Sequence, residues 1–319
     1  MLYVSTRNPA DHHTVYRAIH EFRAPDGGFF VPFRLPVLAR EEVIALRSKS
    51  STDAIAKILN MLFGLRLNGW DVECAIGRNP FKVETVGQRN YCVEAWRNPE
   101  GCWEYLIKNL YRLIAKNEQT SVMPDGWAYI AIQVALLFGI YSAAEKLPAN
   151  GFDIAVPTGD LSDILAISYA KDMGLPINMT LCTCNENGSV WEFINKGTFN
   201  PGATTISTAI PELDISLPSY MECFVFKVLG AQETIRYLSC CDSKTVYSID
   251  AEQVETLRDN YYASVVSAER ADALQSSLRK TSHYSVDICT ALSYGGLQNY
   301  RANTGLSKDT FLLAKRRPK

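Results

Sequence analysis

The spacing of apolar residues divides the chain into recognisable helices and strands. Leu106, Leu110 and Leu113 recur on one helical face, so 105–116 reads as an amphipathic helix. Segments 40–48 and 52–62 carry the same period, and Ser51 or Thr52 stands where the second would be capped. Residues 127–146 are apolar on almost every side. Gln133, Gly139 and Ser142 interrupt the run, which marks a core helix rather than a membrane span. A polar stretch over 10–22 has helical character, and 164–173 is a helix closed by Gly174. Short extended runs lie at 2–5, 29–33, 83–84 and 91–95, the last two around a turn at 87–90. Ala24-Pro25-Asp26-Gly27-Gly28 is a turn, since proline presets φ and glycine supplies positive φ.

Order adds topology. A strand at 152–157, a turn at 158–163, the helix at 164–173 and a strand at 178–184 form a βαβ crossover. Such a unit implies an α/β fold with an open, largely parallel sheet. The polar segment 118–126, with Pro124 and Gly126, is the expected boundary between an N-terminal region, 1–122, and a C-terminal α/β domain, 123–319. At the carboxyl end of a parallel strand, backbone N–H groups and the next helix dipole converge, which suits a phosphate or carboxylate. Pro157-Thr158-Gly159 has that geometry. Asp160 and Asp163 have a second use as caps for the helix beginning near Ile164, and Asp163 is the expected cap.

Composition narrows the class. The chain has 319 residues, 47% of them apolar and 21% charged, which fits an ordinary globular protein of about two domains. With 32 basic against 34 acidic residues, nothing in the charge balance favours nucleic acid or an anionic membrane. The nine cysteines form no regular framework. Cys182 with Cys184, and Cys240 with Cys241, lack zinc-ligand spacing, and no histidine or cysteine pair completes a metal site. Reduced thiols in a cytoplasmic protein are expected, and the first residues do not form a secretion signal. The basic run 314–319 reads as a solvated end.

A family resemblance then emerges. Pro157-Thr158-Gly159-Asp160-Leu161-Ser162-Asp163-Ile164-Leu165-Ala166, continued by Ala170 to Ile177, resembles the phosphate-loop region of threonine synthases. Asn185-Glu186-Asn187, Phe193, Gly197 and Phe199 continue the likeness. So do Leu213-Asp214-Ile215-Ser216-Leu217-Pro218-Ser219, Tyr3-Val4-Ser5-Thr6-Arg7 and the segment from Ala24 to Pro32. The late stretch 284–305 echoes the family's Asp-Pro-His-Thr-Ala-Val-Gly and its Tyr-x-x-x-Thr-Gly. The resemblance implies a tryptophan-synthase-β-like fold, fold type II of the pyridoxal-phosphate (PLP) enzymes. It also implies a lyase reaction of amino-acid biosynthesis, O-phosphohomoserine and water giving threonine and phosphate. A lysine Schiff base and the cofactor's electron sink would carry that reaction.

Several family positions differ here. In register with the family's His-Gly-Pro-Thr-x-Ala-Phe-Lys-Asp, Glu104 stands at the lysine, and a carboxylate cannot form an imine. Lys108, one helical turn on, is a weak alternative. The family's Gly-Asn-Phe-Gly-Asp becomes Gly159-Asp160-Leu161-Ser162-Asp163. That adds a negative charge beside a dianion and a Cβ where close backbone approach is wanted. Cys289 replaces a histidine between Asp287 and Thr290. The family's Ser-Gly-Asp-Thr-Gly loop has no counterpart over 114–127, so a trimmed cofactor domain is expected. Its terminal Ser-Thr-Ala-His-Pro-Ala-Lys, which supplies a partner to the pyridine nitrogen, is replaced over 314–319.

The expected function is a pseudoenzyme without PLP that binds a small anionic ligand or a protein partner. Thr158, Gly159, Asp160, Leu161, Ser162 and Asp163 would form the remnant phosphate loop. One alternative is rebuilt acid, base or nucleophile chemistry on Glu104, Asp160, Asp163 and Cys102. Another is a surviving PLP lyase using Lys82, Lys108 or Lys116. Against these stand plainer roles: Glu104 as a first-turn carboxylate, Cys102 as a small core filler. Trp96 and Trp103 are either partner contacts or packing residues.

Overall fold

The computed structural model describes residues 1–117, 119–120, 122–144 and 151–318. In chain order the strands are β1 (Leu2–Ser5), β2 (His12–Thr14), β3 (Phe30–Pro32), β4 (Lys82–Thr85), β5 (Asn90–Glu94) and β6 (Phe152–Pro157). They continue with β7 (Ile177–Cys184), β8 (Thr198–Phe199), β9 (Tyr247–Ser248), β10 (Tyr261–Val265) and β11 (Thr310–Ala314). The first seven helices are α1 (Val15–His20), α2 (Arg40–Ala45), α3 (Ser51–Phe63), α4 (Gly69–Ile76), α5 (Trp103–Ala115), α6 (Gly126–Ala143) and α7 (Ser162–Asp172). The others are α8 (Ser189–Lys196), α9 (Met221–Leu229), α10 (Ala231–Ser243), α11 (Ala251–Arg258), α12 (Ala268–Thr281) and α13 (Ile288–Thr304).

Two compact units result. The first comprises Met1–Val83, Glu94–Ala149 and Leu165–Pro176, and the second comprises Glu84–Val93, Asn150–Ile164 and Ile177–Lys319. The segment 118–126, expected as a boundary, falls within the first, because α5 and α6 on either side of it pack together. Glu118 and Ser121 of that segment lie outside the described residues, as do the end of the expected 127–146 helix and Lys319. No helix or strand is assigned to the described residues between α5 and α6.

The first unit holds the antiparallel sheet β2-β1-β3 and a group of helices. The stretch 10–22 is only partly helical. His12–Thr14 pairs with β1, and Thr14 then caps the short α1. The cap of α3 is Ser50 rather than Ser51 or Thr52, since Ser50 has extended dihedrals and accepts the Asp53 N–H at 3.0 Å. α4 was not expected, although Asn68 and Asp71 form a capping box at its start. α6 is long and apolar enough to cross a membrane, yet 89% of its apolar window is buried within the protein. It is a core helix, with Trp127 against Tyr3 and Tyr169 at ring separations of 5.9 and 5.1 Å. Gly126, at φ 58°, starts it, and a Cβ there would lie 2.5 Å from the Phe22 carbonyl oxygen.

The second unit is built on a six-stranded sheet of order β10-β7-β6-β11-β5-β4. β10, β7, β6 and β11 are successively parallel, as the βαβ pattern required. α13 crosses this sheet closely: a Cβ on Gly296 would meet the Thr183 hydroxyl at 1.9 Å. The parallel register brings the segments after β6, β7, β10 and β11 to one edge, and that edge carries the candidate chemistry.

Candidate functional site

The turn after β6 is held by its own side chains. Thr158 donates its N–H to the Thr183 carbonyl at 2.7 Å, and its hydroxyl lies 3.2 Å from the Cys184 sulfur. Asp160 accepts the Ser162 N–H at 2.9 Å and the Ser162 hydroxyl at 2.6 Å, while its carbonyl accepts the Tyr220 N–H. Asp160, not Asp163, therefore caps α7. Leu161 between them is buried at φ 73°, the left-handed region that a side chain enters only when its surroundings require it. Gly159 has room to spare: a Cβ there meets nothing nearer than Leu213 at 3.6 Å. Neither its packing nor its φ calls for glycine.

Asp163 lies in the first turn of α7 and pairs with Lys315. Both are largely buried, at 14% and 22% exposure, so the chain near its basic end is not a solvated tail. Next to it, Arg316 comes within 3.8 Å of Glu212, whose carboxylate also accepts from the Cys289 thiol at 3.4 Å. Burial, with Asp287 and Glu212 nearby, pushes the Cys289 thiol far up. Asp287 caps α13, accepting the N–H groups of Cys289 and Thr290 at 3.0 and 3.2 Å. Its own acidity is weakened by burial.

In the first unit, the segment before α5 is also tied inward. Buried Glu94 pairs with Arg97, whose guanidinium lies 5.2 Å from the Trp96 ring centre. The Asn98 side chain accepts the Cys102 N–H at 3.3 Å and donates to the Cys102 carbonyl at 2.7 Å. Glu104 is the second residue of α5, close to the Cys102 thiol. Burial raises that thiol's pKa, and Glu104 and Glu100 raise it further, the opposite of what activates a nucleophile. Trp103 is fully buried and cannot be a surface contact, whereas Trp96 is half-buried. Lys108 follows Glu104 by one turn of α5. Lys82 is exposed on β4, and Lys116 ends α5 in the left-handed region.

A polar cluster after β7 carries structural weight that sequence reasoning did not assign. Asp214 accepts from the Thr208 N–H and hydroxyl, both at 2.7 Å, and from the Asn185 amide at 2.8 Å. The Thr208 backbone bond leads the effects that hold its carboxyl below the usual aspartate range. Asn187 brackets Ile206, accepting its N–H at 2.7 Å and donating to its carbonyl at 2.9 Å. The Asn-x-Asn spacing and the aspartate are visible in the sequence, but nothing there shows that they meet. Among the described residues, no three His, Cys, Asp or Glu side chains gather as metal ligands.

The family described as threonine synthase N terminus matches residues 2–76. Threonine synthase of Methylobacillus glycogenes is 36% identical over 126 residues, 39% of this chain and 26% of that protein. Human threonine synthase-like 1 is 29% identical over 162 residues, 48% of this chain and 22% of that protein. The matched region thus spans about a quarter of the length of these curated relatives. Among solved structures, PLP-bound threonine synthase from Brucella melitensis superposes with a TM-score of 0.86 at 19% identity. That match covers 100% of this chain and 89% of the other. Yeast threonine synthase gives 0.83 at 15% identity, covering 99% and 87%. At such identities the superpositions speak to the fold alone.

Proposed function

We propose that this chain is a threonine-synthase-like pseudoenzyme, a fold type II scaffold that does not run PLP chemistry. One observation carries the reading. The Asp160 carboxylate already occupies the Ser162 N–H and hydroxyl at the start of α7, the donors that a phosphate would need. A dianion arriving there would meet a fixed negative charge at the Ser162 donors, and the Lys315 ammonium is engaged by Asp163. The turn as it stands does not fit the cofactor's phosphate. Glu104, at the position the resemblance gives to the Schiff-base lysine, supports the same conclusion.

That carboxylate also argues against a small anionic ligand at Thr158–Asp163. Rebuilt catalysis has less support. Cys102 is shifted away from the thiolate, Asp160 is committed to Ser162, and Asp163 is committed to Lys315. The nine cysteines are all free thiols, which supports a cytoplasmic protein.

Intact-mass measurement after incubation with PLP and borohydride tests the reading. The expected mass is that of the unmodified chain. A stoichiometric pyridoxyl adduct mapped to Lys82, Lys108 or Lys116 would overturn it and restore the lyase alternative.

A further inference from the structure

α4 and α5 pack together within the first unit and leave a groove of about 620 Å³ between them. That volume lies in the middle of the range for small-molecule sites. Asp71, Cys74 and Ala75 line the groove from α4, and Asn109, Arg112, Leu113 and Lys116 line it from α5 and its cap.

Two cations meet here without a carboxylate for either. Arg112 and Lys116 are one helical turn apart, the spacing that sets two side chains next to each other on a helix face. Among the described residues, neither forms an ion pair. Arg112 gives its Nε–H to the Thr120 carbonyl at 2.9 Å and a terminal N–H to the Asn109 side-chain oxygen at 3.2 Å. Asn109 is fixed in turn by donating to the Tyr105 carbonyl at 2.8 Å. Both acceptors of Arg112 are neutral, so they hold the guanidinium in place without cancelling its charge. Asp71, the one carboxylate among the described lining residues, accepts the Asn68 N–H at 2.8 Å in the capping box of α4. Two positive charges against one leave the groove cationic.

A guanidinium matches a carboxylate with two parallel hydrogen bonds, and an ammonium nearby takes a second carboxylate as a point charge. Ala75 and Leu113 add apolar surface for a short hydrocarbon spacer. We propose that the groove between α4 and α5 binds a small dicarboxylate. One of its carboxylates sits on the Arg112 guanidinium and the other on the Lys116 ammonium.

Cys74 reports on occupancy, because it lines the groove and is the one exposed thiol of the nine. Alkylation of the full chain by iodoacetamide, read at each cysteine by peptide mass spectrometry, tests the proposal with succinate, glutarate and adipate as probes. At least one of them should slow the reaction of Cys74 saturably and leave that of the half-buried Cys240 unchanged. Butyrate, with a single carboxylate, should need about tenfold higher concentration. Arg112→Gln should weaken the protection about tenfold. Lys116→Gln removes no side-chain bond among the described residues, should weaken protection similarly, and serves as the test variant if the first misfolds. No protection by any of the three dicarboxylates, unchanged protection in the variant that folds, or butyrate or inorganic phosphate protecting at equal concentration would each overturn the proposal.

Discussion

The segments after β6 and β7 start from adjacent parallel strands and lead into helices, yet they end in opposite states. After β6, Asp160 covers the first turn of α7 and Lys315 neutralises Asp163. After β7, Asn185, Asn187 and Asp214 satisfy one another, while one oxygen of Glu186 and the Ser189 hydroxyl are buried without a partner. One carboxylate decides each case. Asp160 is short and adjacent to the turn, so it reaches the local donors. Glu186 reaches the start of a different helix and leaves one oxygen over. A position at the carboxyl edge of a parallel sheet is therefore an opportunity for binding, and side-chain length settles whether the protein fills it from within.

The largest effect should come from breaking the satisfied side of the β7 segment. Asn187→Ala removes the bracket on Ile206 together with the amide's bonds to Asn185 and Asp214. Stability in urea should fall by roughly 3 kcal/mol with an unchanged slope. A loss below about 1 kcal/mol would mean that water replaces the amide, and the contrast between the two sides would collapse.

Next comes Lys315→Met, which takes the ammonium from Asp163 while keeping the apolar stem. A loss of roughly 1–2 kcal/mol is expected, less than for a fully buried pair because both groups retain some exposure. Thermal or urea unfolding at low and high salt measures it, and equal stability at both would remove this pair from the account.

Asp160→Ala frees the Ser162 donors and should cost about 1 kcal/mol, the usual loss for a removed cap. Its informative effect is on binding. Phosphorus NMR should detect inorganic phosphate on the variant and none on the unaltered chain. If neither binds, a filled anion seat is the wrong description of the turn.

The smallest effect concerns pH. Asp214 has its folded pKa below the ordinary aspartate value, so the folded state holds fewer protons than the unfolded one between the two values. Its contribution is complete above the ordinary aspartate range and is lost as pH falls through the lowered value. Urea midpoints between pH 7 and pH 3 should therefore fall less steeply in Asp214→Asn. Parallel curves would show that the network does not depend on the charge.

Much of the β6–α7–β7 crossover was legible because its signals are local: an apolar strand, a turn with glycine, a periodic helix and a closing Gly174. The long α6 was legible for the same reason. α4 escaped despite the capping box of Asn68 and Asp71, because eight residues offer too few periods to stand out. The sequence pointed to Asp163 as the cap, although Asp160 also lies close enough to the helix start to serve. Backbone geometry at Leu161 decided it by aiming Asp160 at Ser162. The pairing of Asp163 with Lys315 had no local signal, because 152 residues separate them.

By itself, the sequence determined the α/β class, the order of the principal elements and the resemblance to threonine synthases, since periodicity, turn chemistry and motif order are properties of neighbouring residues. It also carried the expectation that Glu104 stands where the resemblance has a lysine. The tertiary structure alone decided which charges meet. β11 lies beside β6 only in sheet order, so only folding brings Lys315 to Asp163. Likewise, only the packing of α12 beyond β10 takes one oxygen of Glu186 and leaves the other buried without a donor. Satisfaction of a buried polar group depends on distances across the fold, and sequence spacing does not set those distances.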